Sequence, residues 1–253
     1  MDPARNIKLV VEYDGTAYAG WQFQANAPSV QAELITAILT MTKEHPTLIV
    51  AGRTDAGVHA EAQVTNFRTH SRIEAPRFAS GLNSLLPGDI SIHESVEAPP
   101  SFDARHDSLS KRYRYRIYNT RHRAALEERR AWHIRAPLDL RDMRAAAALL
   151  VGEHDFNAFR SVECDALHAF RRMLSVDVSA TPRPPAGSIV EIVFHANAYC
   201  RHMCRIIAGT LVEVGLAKRS VAAVAHALES RDRKDAGVTA PPCGLTLLEV
   251  FYP

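Results

Sequence analysis

The sequence predicts an α+β fold built twice over. Three observations carry that prediction. Before residue 99, strand-like and helix-like segments follow the order β-α-β-β-α-β. After a break at Pro99-Pro100-Ser101 the same order returns with one extra helix. The strand candidates also alternate apolar with polar residues, as antiparallel sheets with one covered face do. This is the split-βαβ order of ferredoxin-like folds, present twice. The expected organisation is two halves, residues 1–105 and 106–253, with antiparallel sheet at the centre, helices on one face and a cleft between the halves.

The first half begins with an apolar strand over Lys8 to Tyr13, stopped by the turn signal Asp14-Gly15. Ser29 caps a helix from Val30 to about Lys43, with Leu34, Ile35, Ile38 and Leu39 on one face. Strands follow at Thr47 to Ala51 and Gln63 to Thr69. Pro76 opens a second helix that runs to Leu86 and is stopped by Pro87-Gly88. Asp89 to Val96 completes the set.

In the second half, Ser110 to Asn119 is a strand of strong β-formers. Thr120 to Pro137 reads as a long basic connection, and Asp139 caps a helix through Val151. Arg171 to Ala180 and Ser188 to Ala196 are strands around the breaker-rich turn Thr181 to Gly187. Helices follow over Met203 to Leu216 and from a Ser220 cap to Ser230, and Gly244 to Phe251 is the last strand.

Composition narrows the function. Among 253 residues, 47% are hydrophobic and 23% charged, ordinary for a globular chain. No apolar run approaches the roughly 20 residues of a membrane helix, and the N-terminal residues lack a signal-peptide core. The expectation is a cytoplasmic protein with no membrane. Four cysteines in a chain this long do not make a disulfide framework. Cys200, His202 and Cys204 lack paired zinc-ligand spacing, so a core role is expected and no metal site. No Walker loop or dinucleotide fingerprint is present, so no cofactor is expected. Net charge is only +2, but just five of the 30 basic residues are lysine. Arginine suits forked recognition of phosphate and base edges.

The most informative stretch is Ala51-Gly52-Arg53-Thr54-Asp55-Ala56-Gly57-Val58-His59. It follows an apolar strand end, and two glycines bracket one acid. Glycine permits backbone angles that other residues resist, so a tight loop is expected to display Asp55 at the end of a strand. In the second half, Tyr113, Tyr115 and Ile117 share one face of a strand, and Arg112, Arg114 and Arg116 share the other. The aromatic face suits base stacking or a core; the arginine face must reach an edge, an acid or RNA. Arg205 sits among apolar neighbours in Cys204-Arg205-Ile206-Ile207 and needs a partner. Asp55 is a candidate for that pairing, which would hold the carboxylate ionised and aimed. His59 and His202 are expected to hydrogen-bond structurally.

These motifs resemble the TruA family of tRNA pseudouridine synthases over nearly the whole chain. The resemblance runs through Val11 to Gln22, Ser29-Val30-Gln31, Ala51 to His59, Asn83 to Ile90 and Phe102-Asp103-Ala104-Arg105. It continues through Lys111 to Tyr115, Asn197 to Gly209 and Gly244-Leu245. Ala62 stands where the family often has glycine. The resemblance implies the pseudouridine synthase fold, with Asp55 as the catalytic aspartate and Tyr113 against the target uracil. It implies that Arg205 pairs with Asp55, that Arg53 helps hold the uridine flipped out of the stem, and that Leu245 packs against the base. It also implies a homodimer that needs no cofactor and acts on uridines 38, 39 and 40 of the tRNA anticodon stem-loop. The rivals are a non-catalytic RNA-binding module and a hydrolase that releases free base.

Overall fold

A computed structural model describes residues 4–184 and 186–253. Met1 to Pro3 and one position of the turn at 181–187, Pro185, lie outside the described residues. The fold is α+β, with sheet that is mostly antiparallel. The chain divides into two units, Met1–Leu109 with Leu247–Pro253, and Ser110–Thr246.

In the first unit, β1 (Arg5–Tyr13) is hydrogen-bonded to β3 (His59–Thr69) on one side and β4 (Ile90–Ala98) on the other, both antiparallel. The two-residue strand β2 (Ile49–Val50) pairs antiparallel with β3. Strict alternation in β1 buries Ile7, Leu9, Val11 and Tyr13. Ile7 lies opposite Phe67, whose ring meets Phe78 edge-on at 5.6 Å. Phe78 belongs to α2 (Ala75–Asn83), which is bound to β4 through Ser95: its Oγ donates to the Ala75 carbonyl at 2.6 Å and accepts the Ala79 N–H at 2.9 Å. Helix α1 (Val30–Thr42) starts at the Ser29 cap and buries Val30, Leu34, Ala37 and Ile38, a single helical stripe.

The opposite face of this sheet is covered by the segment that begins at the Pro99-Pro100-Ser101 break. Asn6 Nδ2 donates to the carbonyls of Pro99 and Phe102, and Asn66 Nδ2 donates to Asn6 Oδ1 at 2.9 Å. Phe102 packs on Tyr252 at 5.2 Å, Lys8 Nζ lies over both rings, and Tyr252 OH donates to the Ala104 carbonyl. Residues 99–104 are therefore part of the unit. Their polar contacts leave no trace in hydrophobic periodicity.

In the second unit, β5 (Ser110–Asn119) pairs antiparallel with β9 (Ser188–Ala196), β9 with β8 (Phe170–Pro182), and β8 with β7 (Gly152–Asp155). The expected connection over Thr120 to Pro137 contains a short strand, β6 (Trp132–Ile134), parallel to β5. α3 (Leu140–Ala148) is capped by Asp139, whose carboxylate accepts the Arg141 and Asp142 N–H groups. α4 (Met203–Gly215) is buried almost all round, and α5 (Ala222–Ser230) is short. β10 (Leu245–Phe251) closes the chain; its first two residues belong to the second unit and the rest to the first.

Candidate active site

The loop after β2 is fixed from three directions. Gln63, on β3, donates from Nε2 to the Gly52 carbonyl at 2.8 Å. Tyr13, at the end of β1, shares a 2.8 Å hydrogen bond between its hydroxyl and Thr54 Oγ1. From the segment before α1, the Trp21 N–H donates to the Thr54 carbonyl at 3.1 Å, and the Gly57 N–H donates to the Tyr18 carbonyl. The Asp55 carbonyl accepts the Val58 N–H, closing a tight turn around the acid. Gly57 takes a left-handed φ of 74°, as the glycine spacing predicts, whereas Gly52 does not. A third glycine matters more. Gly20 has φ 105°, and a Cβ there would stand 2.7 Å from the Thr54 carbonyl oxygen. Its missing side chain lets the 18–21 segment lie directly against the Asp55 turn.

Asp55 is half-buried and Arg53 exposed. The floor beneath them is aromatic. Trp21 and Tyr13 are buried with ring centroids 6.0 Å apart. Burial pushes the Tyr13 phenol up to about 12, so it serves as a neutral hydrogen-bonding group rather than a base. His59 is buried, and its Nδ1 lies 3.1 Å from both the Gly15 N–H and Asp14 Oδ1. An Nδ1 that accepts from Gly15 carries no proton, while one facing Asp14 must carry one. Either way the imidazole is tied to the β1 turn, as a structural histidine is.

The second unit positions Tyr113, Arg205 and Leu245. Tyr113 lies opposite Phe194 in the β5–β9 ladder and is 7% exposed. Its ring meets Tyr199 edge-on at 5.0 Å, and Tyr199 OH donates to the Lys111 carbonyl. Burial pushes the Tyr199 phenol well above its ordinary range. Tyr199 lies 86 residues from Tyr113 and carries no signal as its support until β5 and the segment after β9 are folded together. Arg205, in the first turn of α4, donates from Nε to the Ala240 carbonyl at 2.9 Å, and its own carbonyl accepts the Ala240 N–H. The next carbonyl, Pro241, accepts the Tyr115 hydroxyl at 2.8 Å. Arg205 and Tyr115 thus grip consecutive residues of the segment that leads into Leu245, which is buried at the start of β10.

The arginine face of β5 meets acids. Arg114 and Arg116 approach Glu191 at 3.5 and 3.3 Å, and Arg116 also reaches Glu127 at 3.1 Å. Arg121, His122, Arg123, Arg129 and Arg130 are exposed. Cys200 and Cys204 are buried, and no cluster of three metal-ligating side chains occurs among the described residues. No helix among them is long and apolar enough to cross a membrane.

A held acid loop, tyrosines on a sheet and abundant arginine are the groups that suit work on nucleic acid bases. A family model described as tRNA pseudouridine synthase matches residues 9–107 and 146–253, and the chain belongs to that family. It is an isomerase that converts uridine in tRNA to pseudouridine. The chain is 48% identical to tRNA pseudouridine synthase A of Geotalea uraniireducens over 98% of its own length and 100% of that protein's. Against tRNA pseudouridine synthase A of Myxococcus xanthus the identity is 46% over 97% and 91%. Against that of Acetivibrio thermocellus it is 45% over 98% and 100%.

Proposed function

We propose that this chain isomerises uridines 38, 39 and 40 in the anticodon stem-loop of tRNA, with Asp55 as the catalytic carboxylate. The observation that carries the reading is the Asp55 turn, held by Tyr13, Gln63 and the Trp21 backbone in a chain of this family. A carboxylate so held loses little freedom when it meets its target. The reaction breaks the N1 glycosidic bond, turns the base and bonds C5 to C1′. It moves no electrons to or from an external acceptor, so the reading includes no cofactor.

The target uridine must leave its stack, at a cost of a few kcal/mol. Arg53, exposed two residues before the acid, is assigned to holding the flipped nucleotide. Tyr113, braced by Tyr199, is assigned to the uracil face, and Leu245 to packing against the base. Arg205 is assigned as the cation that orients Asp55. Three routes suit the carboxylate: attack at C6, attack at C1′, or removal of a ribose proton. In each, C5 finally loses its proton.

The same reading takes the two halves, 1–105 and 106–253, as each ferredoxin-like. The neighbour relations β4-β1-β3-β2 in the first unit support it, as does the β-α-β-β-α-β element order there. It also takes the enzyme as a cytoplasmic homodimer, on the resemblance. The positional test is to map pseudouridine in tRNA after reaction, by primer extension past carbodiimide-modified sites. Stops at 38, 39 and 40 are expected; modification confined to another arm would sink the assignment.

A further inference from the structure

We infer that Cys164 and Cys200 form an oxidisable thiol pair, a modification site at which a disulfide joins the loop after β7 to the entry of α4. The inference stands apart from the assignment of Asp55. The Cys164 sulfur sits against the peptide that joins Cys200 to Arg201. The Arg201 N–H donates to Cys164 Sγ at 3.4 Å. The loop is held in place just before the sulfur: the Ser161 N–H donates to the Arg201 carbonyl at 3.0 Å, and Glu163 pairs with the Arg201 guanidinium at 3.1 Å. These contacts to Arg201 keep the loop that carries Cys164 beside Cys200.

The two thiols differ in access. Cys164 is half-exposed, whereas Cys200 is 5% exposed. Burial pushes the Cys200 thiol up, so it is the poorer first nucleophile. Cys164 therefore meets an oxidant from solvent first, and a small disulfide such as glutathione disulfide suffices. The Cys164 thiolate attacks one sulfur of glutathione disulfide, that S–S bond breaks, and one glutathione leaves as thiolate. Cys200 then gives its proton to solvent and attacks the Cys164 sulfur, expelling the second glutathione. Two protein thiols are oxidised by two electrons, and one glutathione disulfide becomes two glutathione thiols. In the product the two sulfurs stand about 2 Å apart. Cys200 directly follows Tyr199 and lies just before α4, so the bond would fasten the stretch that carries the Tyr113 support.

The test treats the folded, full-length protein with excess glutathione disulfide, counts thiols, and maps the tryptic peptides by mass. Two of the four thiols should disappear, the peptide holding Cys164 should be joined to that holding Cys200 with the loss of two hydrogens, and dithiothreitol should reverse both. Cys164→Ser should keep its three thiols and give no cross-link. Four persisting thiols, a stable glutathione adduct on Cys164 beside a free Cys200, or a cross-link to Cys204 or Cys243 would each overturn the inference.

Discussion

At the scale of single residues, the site relies on neutral tyrosines as much as on charge. Tyr13 is the plainest case. Burial raises its phenol from 10.0 to about 12. Between those values the folded chain keeps a proton that the unfolded chain has lost. Its contribution to stability is therefore complete below about pH 10 and is lost as pH rises through about 12. A displacement of that size corresponds to roughly 3 kcal/mol. Tyr18, Tyr115 and Tyr252 are displaced the same way, each chiefly by burial. Thermal melts of the wild type should fall steeply above about pH 10, and Tyr13→Phe should fall less steeply; a wild-type melting temperature that is flat to about pH 12 would contradict this. Arg205 supplies a second prediction at this scale. Its Nε is engaged by the Ala240 carbonyl, so the side chain is aimed before substrate arrives. Arg205→Met should lower turnover by roughly a hundredfold, as misplacement of a catalytic group does, with a smaller effect on tRNA affinity. A loss confined to affinity would make Arg205 a phosphate contact instead.

At the scale of elements, the Asp55 turn depends on a neighbour with no side chain. Alanine at position 20 would have to hold φ 105° and place its Cβ 2.7 Å from a main-chain oxygen. Gly20→Ala should cost about 2–4 kcal/mol in urea unfolding and should disturb catalysis through the turn. An unchanged midpoint would show that the segment shifts freely. Most of this level was legible in the sequence because period and capping are local signals. β5 and β9 fall on their expected residues, and α1 begins at its Ser29 cap. Boundaries moved where tertiary pairing decides them. β2 shrank to two residues, β3 gained four at its start, and α2 ended at Asn83 rather than Leu86. β6 and β7 were not expected at all, since strands of three and four residues with histidines and acids carry no alternation to read. The tight turn around Asp55 was legible through its glycines, and Gly57 takes the left-handed φ that the spacing predicts. The supports of the turn were not, because Tyr13, Trp21 and Gln63 converge only once β1 and β3 are paired.

At the scale of the whole molecule, two units of mostly antiparallel sheet carry the residues assigned to one reaction: Asp55 and Arg53 in the first, Tyr113, Arg205 and Leu245 in the second. Family membership establishes the isomerisation, and the residue assignments give it a physical agent. The central claim is that the Asp55 carboxylate performs the chemistry while the rest of the protein binds and shapes the tRNA. Asp55→Asn keeps the size of the side chain and removes its capacity to ionise, exchanging one acceptor oxygen for an NH2 donor. The direct measurement uses tRNA tritiated at uracil C5, which releases tritium when pseudouridine forms, alongside a binding assay on the same substrate. The account predicts no release above background from Asp55→Asn with tRNA binding retained; release at the wild-type rate would contradict it.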